Sequence, residues 1–283
     1  MPRLNICVDD VGLGPGVGEA VLRLTEMGIL GSASCMVNLP QARSVPVQFR
    51  HLIAGLDLGL HFNLTCGRPL SEIPDDSVLL GPDGAFSTFG RLARRSYVRA
   101  VPAEEVAGEL ESQWQRFTEL FGREPDHLDG HHHVQQLPVI RDVVLRFCAG
   151  AFRRSFYVRN SGTSLFQAMR QGPGGMNAFW IGRPGSAMRR ALRAKGIATN
   201  ARFSGVIPLA TQTFDGLLST LRSALGAVAG GDCLMMAHAS TPDPAVSAFD
   251  TYVDGRIVEL EVLASTDFRR ALDDLGFVPG SGV

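Results

Sequence analysis

Long apolar runs are missing from this chain. In 283 residues no stretch approaches the ~18 consecutive apolar positions of a membrane-spanning helix. The opening Met1-Pro2-Arg3 and the short run broken by Asn5 and Asp9 also lack the apolar segment of a secretion signal. Cysteine is sparse: Cys7, Cys35, Cys66, Cys148 and Cys233 are odd in number, scattered, and never spaced Cys-x-x-Cys. That argues against a disulfide framework and a thiolate metal site, and predicts reduced core thiols in a cytoplasmic protein. The sequon Asn63-Leu64-Thr65 then carries no glycan. Excess charge is absent too, with 27 Lys+Arg against 28 Asp+Glu. Neither nucleic acid nor a membrane is expected as a partner. No Ser/Pro/Gly-rich linker, charge block or internal repeat divides the chain, so a single domain over residues 1–283 is expected.

What the chain does have is alternation. The period-2 patterns at Leu4–Val8 and Leu58–Leu64 read as strands, as do Ala33–Val37, His127–His131 and Cys233–His238. Helical patterns fall between them. The clearest places Val106, Leu110, Trp114, Phe117 and Phe121 at spacings of three and four within residues 103–121, and Gly122 ends it. Others centre on Val17–Met27, Ile140–Phe147, Leu217–Val228 and Phe268–Leu275. Alternating strands and helices in a chain of this length predict an α/β fold, an irregular (β/α) barrel resembling a TIM barrel. Residues 67–101, broken by Pro69, Pro74, Pro82, Gly81, Gly84 and Gly90, and residues 160–187 read as long loop excursions over the strand ends.

Two segments carry chemistry. The first strand ends in Asp9-Asp10, and adjacent carboxylates repel unless a cation or a shared proton lies nearby. The second is Asp129-Gly130-His131-His132-His133. Parity brings them together. In Asp57–Leu64 the even positions are apolar, so Gly59, His61 and Asn63 share the face expected to point into the barrel. Asn5, Cys7 and Asp9 share one parity, as do His127, Asp129 and His131. Inward acids and imidazoles on three strands are costly to bury without a cation or hydrogen-bond partners. Carboxylate plus imidazole is the ligand set of a hydrolytic Zn²⁺, or of Mg²⁺ where water fills the remaining positions.

In order, Val8-Asp9-Asp10-Val11-Gly12-Leu13, Gly59-Leu60-His61-Phe62-Asn63-Leu64-Thr65 with Gly67-Arg68-Pro69-Leu70, and His127-Leu128-Asp129-Gly130-His131-His132-His133 resemble the YdjC-like carbohydrate deacetylases. That family includes chitooligosaccharide and hopanoid-associated deacetylases. The likeness continues to Arg256-Ile257-Val258-Glu259-Leu260 and covers nearly the whole chain. It implies an irregular barrel that removes N-acetyl groups from amino sugars with one divalent metal, Zn²⁺ or Mg²⁺. By motif, Asp10, His61 and His131 would be the metal ligands, Asp9 the general base and His238 the general acid. Asn63, His133 and Arg159 are candidate substrate contacts, while His132 is expected on the outer strand face.

The chain departs from the family pattern at Ala237-His238-Ala239-Ser240, where Cys-His-Pro-Gly is usual. It departs again at Asn200-Ala201-Arg202, where Asp is common in place of Ala201. The expected partner is an N-acetylated sugar, with a homodimer as one open assembly. Two rivals remain: a metal-dependent phosphoesterase on a similar barrel, with Arg68 and Arg159 as its cations, and a non-catalytic carbohydrate-binding protein.

Overall fold

The computed structural model describes residues 1–52, 54–149, 156–162, 169, 175–207 and 213–281, with no side-chain description over 175–181. Its spine is β1 (Arg3–Val11), buried at every position but Arg3. The chain then forms α1 (Pro15–Glu26), whose Val17, Val21 and Leu24 pack inward. Gly28 stops that helix at φ 66°, its N–H bonding the carbonyl of Thr25 while Ile29 reaches Leu24. Next come β2 (Ser32–Cys35), a 3₁₀ turn over Pro40–Ser44, the short α2 (Val45–Gln48) and β3 (Asp57–Phe62).

The segment from 67 to 101 contains one antiparallel bridge, Leu80 to Phe86, and the helix α3 (Phe89–Tyr97). The helix α4 (Ala103–Phe121) lies as its periodicity predicts, with Gly122 left-handed at its end. Val106, Leu110 and Phe117 are fully buried, and Trp114 meets Phe147 edge-on at 5.2 Å. Each such side chain contributes about 1.5–3 kcal/mol of burial. Then follow β4 (His127–Gly130), a 3₁₀ turn over His131–Gln136, α5 (Ile140–Phe147) and β5 (Tyr157–Val158). The remainder is α6 (Gly175–Ala194), β6 (Arg202–Ser204), α7 (Phe214–Gly226), β7 (Cys233–Ala237), α8 (Val253–Leu263), α9 (Thr266–Leu275) and β8 (Val278–Pro279). Of the 160–187 segment, 163–168 and 170–174 lie outside the described residues. Among the described residues, no helix is long and apolar enough to cross a membrane.

The sheet runs β5-β4-β3-β2-β1-β7-β6, every pairing parallel, with β8 added beside the start of β1. Its two edges approach through the bridge Tyr157 to Ala198, where the N–H of Val158 bonds the Ala198 carbonyl at 3.0 Å. The result is an irregular (β/α) barrel. Outside the sheet, Leu4, Ile6 and Val8 join the large helix-facing core. Inside, a small separate cluster of Cys7, Tyr157, Phe203, Val206, Leu234 and Met236 fills the barrel.

Two expectations are corrected here. The fourth strand ends at Gly130, one residue short of His131. Beyond it His132 and His133 turn left-handed (φ 53° and 57°), so strand parity no longer governs them and His132 is not on an outer face. It lines the cavity instead.

Candidate active site

Asp9 and Asp10 are consecutive, and on a regular strand they would face opposite sides. The β1–β2 register shifts between Val8 and Val11, and Asp10 takes φ 63°. Both carboxylates thereby reach one cavity of about 490 Å³ at the carboxyl end of the strands. That volume is in the range of small-molecule sites. Left-handed backbone is costly for residues other than glycine, and Asp10, His132 and His133 all adopt it on this cavity wall.

Asp10 Oδ1 lies 3.1 Å from His61 Nε2 and 3.0 Å from His131 Nδ1. The three side chains present possible ligand atoms within 4.8 Å of one another. Behind them, His61 Nδ1 meets Asp129 Oδ1 at 2.7 Å and Ser34 Oγ at 3.0 Å. This carboxylate behind an imidazole is the usual support of a metal-binding histidine. Arg256 donates to Asp10 Oδ2 at 2.6 Å and to Asp250 Oδ2 at 2.5 Å. Arg159 grips Asp9 and also reaches Asp129 Oδ2 at 2.8 Å.

The electrostatics fit a cation. Burial opposes ionisation of Asp10, yet Arg256 and the two imidazoles hold its carboxyl well below the usual range. Burial likewise disfavours protonated His61, but Asp129, Asp10 and Asp9 outweigh it and lift the imidazole to about 10. A proton is thus drawn to the place where a metal would sit. The donor set of two imidazoles and one carboxylate suits a catalytic metal with open positions.

His238 follows β7 with the parity of Leu234 and Met236, whose face is the barrel interior. Its backbone N–H donates to Glu259 Oε2 at 2.6 Å, and its Nδ1 stands 3.8 Å from Glu259 Oε1. Burial lowers its proton affinity, but Glu259 and Asp10 raise it more, so the ring is held above the usual histidine value. The loop beyond is tied to α8, the N–H of Ser240 bonding the Arg256 carbonyl at 3.1 Å. Hence Ala237, Ala239 and Ser240 still leave His238 on the cavity wall.

Of the three candidate substrate contacts, His133 alone lines the cavity. Its Nδ1 is buried without a hydrogen-bond partner, and its ring stands edge-on to Phe203 at 5.8 Å. Asn63 instead folds the following loop: its amide donates to Cys66 O and Asn38 Oδ1, and its Oδ1 accepts from the N–H groups of Thr65 and Cys66. Arg159 is fully buried beneath Asp9 and Asp129. Arg68 donates to the Asp83 carbonyl in the long loop. His132 bonds Thr65 Oγ1 and packs on Phe89, whose ring lies on the cavity wall.

Sequence reasoning gave no role to Arg256, Glu259, Asp250 or Ser34. The first two stand three apart on α8 within the motif Arg256–Leu260, the one local signal that they share a task.

Residues 3–274 match the family described as YdjC-like protein. The chain belongs to the YdjC-like family. This YdjC-like protein is 28% identical over 284 residues to the chitooligosaccharide deacetylase of Salmonella paratyphi C (strain RKS4594), covering 98% of this chain and 97% of that relative. Its fold is similar to a cellobiose-phosphate cleavage protein of Enterococcus faecalis V583 (TM-score 0.72, 20% identity, 99% and 97% of the two chains). It is also similar to a CE4 esterase of Streptococcus mutans (TM-score 0.50, 13% identity, 99% and 85%). These likenesses to solved structures establish the shared fold of the YdjC-like barrel.

Proposed function

We propose that this YdjC-like protein is a metal-dependent carbohydrate deacetylase that hydrolyses the N-acetyl group of an amino sugar. One observation carries the reading: Asp10, His61 and His131 converge from three strand ends beside an Arg-held carboxylate, Asp9, on a cavity wall. The full-length similarity to a chitooligosaccharide deacetylase supports the same substrate class. The buried thiols, none in a disulfide among the described residues, support a reducing, cytoplasmic setting.

Asp10, His61 and His131 would hold the ion, and two imidazoles among three ligands favour Zn²⁺ over Mg²⁺. When bound, such an ion supplies Lewis acidity to the acyl oxygen and to an attacking water. Asp9 takes the water's proton. Arg159 fixes both of its oxygens and the Ser34 hydroxyl also donates to Oδ1 at 3.3 Å, so Oδ2 is the oxygen with a lone pair left for that proton. Amide cleavage then needs a proton on the departing nitrogen, and His238, whose proton affinity Glu259 raises, donates it. The buried, unpaired Nδ1 of His133 offers the bound sugar a polar contact.

The test is acetate release from N-acetylglucosamine oligomers, with equal formation of free amine. Activity on phosphate esters alone would favour the phosphoesterase instead.

A further inference from the structure

Below the metal ligands, the facing strands β3 and β4 carry a second polar rung. Asp57, Gly59 and His61 share one face of β3, and His127 and Asp129 the matching face of β4, with His61 paired to Asp129 in register. His127 is fully buried and its Nδ1 meets Asp57 Oδ1 at 2.7 Å. Tyr157 stacks on its ring at 4.8 Å and 16°, and donates its hydroxyl to Asp57 Oδ2 at 3.1 Å. His127 Nε2 stands 3.8 Å from Asp129 Oδ2, which Arg159 pairs at 2.8 Å, and the same nitrogen lies 3.9 Å from Cys7 Sγ.

The ring fits only because β3 has glycine at 59. A Cβ there would stand 2.2 Å from His127 Nε2. A merely stable core would put aliphatic side chains at 59 and 127, since apolar replacements commonly match or exceed buried ion pairs in stability. The neighbouring rung, Leu60 with Leu128, does this on the outer face. Here the polar rung ends on the one carboxylate that holds His61 Nδ1.

We infer that His127, fixed by Asp57 and Tyr157, is a positioning residue for the metal centre: its ring backs Asp129 alongside Arg159, and Asp129 holds His61. The inference rests on Asp10, His61 and His131 being the ligands. Partners beyond the ligands commonly contribute 10- to 100-fold in metal affinity, and at one remove from Asp129 about tenfold is expected.

The experiment is Zn²⁺ titration of full-length apoprotein, wild type against H127Q, D57N and the control F121L. It is run where each is fully folded by circular dichroism. Phe121 lies at the far end of α4, so its variant loses core packing without touching the rung. The expected result is a dissociation constant about tenfold weaker in H127Q and D57N, and unchanged in F121L. Constants within twofold of wild type in both rung variants overturn the inference. So does an equal weakening in F121L, which would make the effect one of stability. Wild-type protein that takes up no Zn²⁺ fells the ligand assignment itself, and this inference with it.

Discussion

Arg159 holds Asp9 by both carboxylate oxygens, Nη1 to Oδ1 at 2.7 Å and Nη2 to Oδ2 at 2.6 Å, with both side chains buried and Asp9 at the cavity wall. Its Nη2 also serves Asp129, so one guanidinium ties the proposed base, Asp9, to the carboxylate that supports His61. A lysine cannot make that fork. Arg159→Lys is expected to lower kcat about 100-fold with metal retained, and Asp9→Asn by about 10²–10⁴-fold. Arg159→Met leaves two buried carboxylates without their partner and is expected to cost about 3–5 kcal/mol in urea unfolding. Adding Asp9→Asn to it should recover part of that loss. Strict additivity of the two changes would contradict the coupling.

His238 is the expected proton donor to the leaving nitrogen. His238→Ala should retain metal and substrate binding while lowering kcat on an N-acetyl substrate. An activated acetyl ester, whose leaving group needs no proton, should be hydrolysed at nearly the wild-type rate. Equal loss on amide and ester would assign the ring to orienting substrate instead.

Much of this arrangement is legible in the chain, for physical reasons. The helix α4 announces itself because the apolar residues from Val106 to Phe121 repeat over about four turns, and Gly122 is left-handed where it stops. Of the three candidate ligands, His61 is legible because the alternation of β3 fixes its side, whereas Asp10 reaches the cavity only through its left-handed backbone and His131 lies just past the end of β4. Other features leave no local trace. The left-handed turn at His132 and His133 is unfavourable for histidine, so nothing in the residues themselves predicts it. The helix α3 hides among prolines and glycines and spans only nine residues. The interior face of β7 is apolar, Leu234 and Met236, so the rule that apolar faces point outward gives no side for His238. The ion pairs of Asp9 and Asp10 join residues 150 and 246 positions apart, beyond the reach of any local pattern.

Asn63 is expected to act through its loop. With it works Glu109, a buried carboxylate on α4 that accepts from the N–H groups of Leu70 and Ser71, the Ser71 hydroxyl and Gln113. Hydrogen bonds to a charged group contribute about 1.5–3 kcal/mol each, but not additively, so Glu109→Ala should cost about 2–4 kcal/mol. Limited proteolysis should then cut within 65–75 faster than in wild type. Unchanged stability and cleavage would show that the loop is held elsewhere.

A pH-dependent contribution is expected from His127. Burial lowers its proton affinity, while Asp57 and Asp129 raise it more than Arg159 and burial reduce it, leaving the folded value above the ordinary one. Cys7 and Tyr157 complete its surroundings. A raised folded value stabilises fully below the unfolded pKa of about 6.5 and fades as pH climbs through the folded one. The stability gap between wild type and H127Q should therefore be widest near pH 6 and narrow toward pH 9. A gap that widens with pH would contradict the sign.

The central claim is that Asp10, His61 and His131 hold the ion on which deacetylation depends. Its most direct measurement pairs elemental analysis with acetate release from N-acetylglucosamine oligomers, for wild type and His61→Ala after chelation and reloading. Wild type is expected to bind one equivalent of divalent metal and to release acetate only when reloaded, and His61→Ala to do neither. Full metal occupancy in His61→Ala, or undiminished acetate release from chelated wild type, would contradict the account.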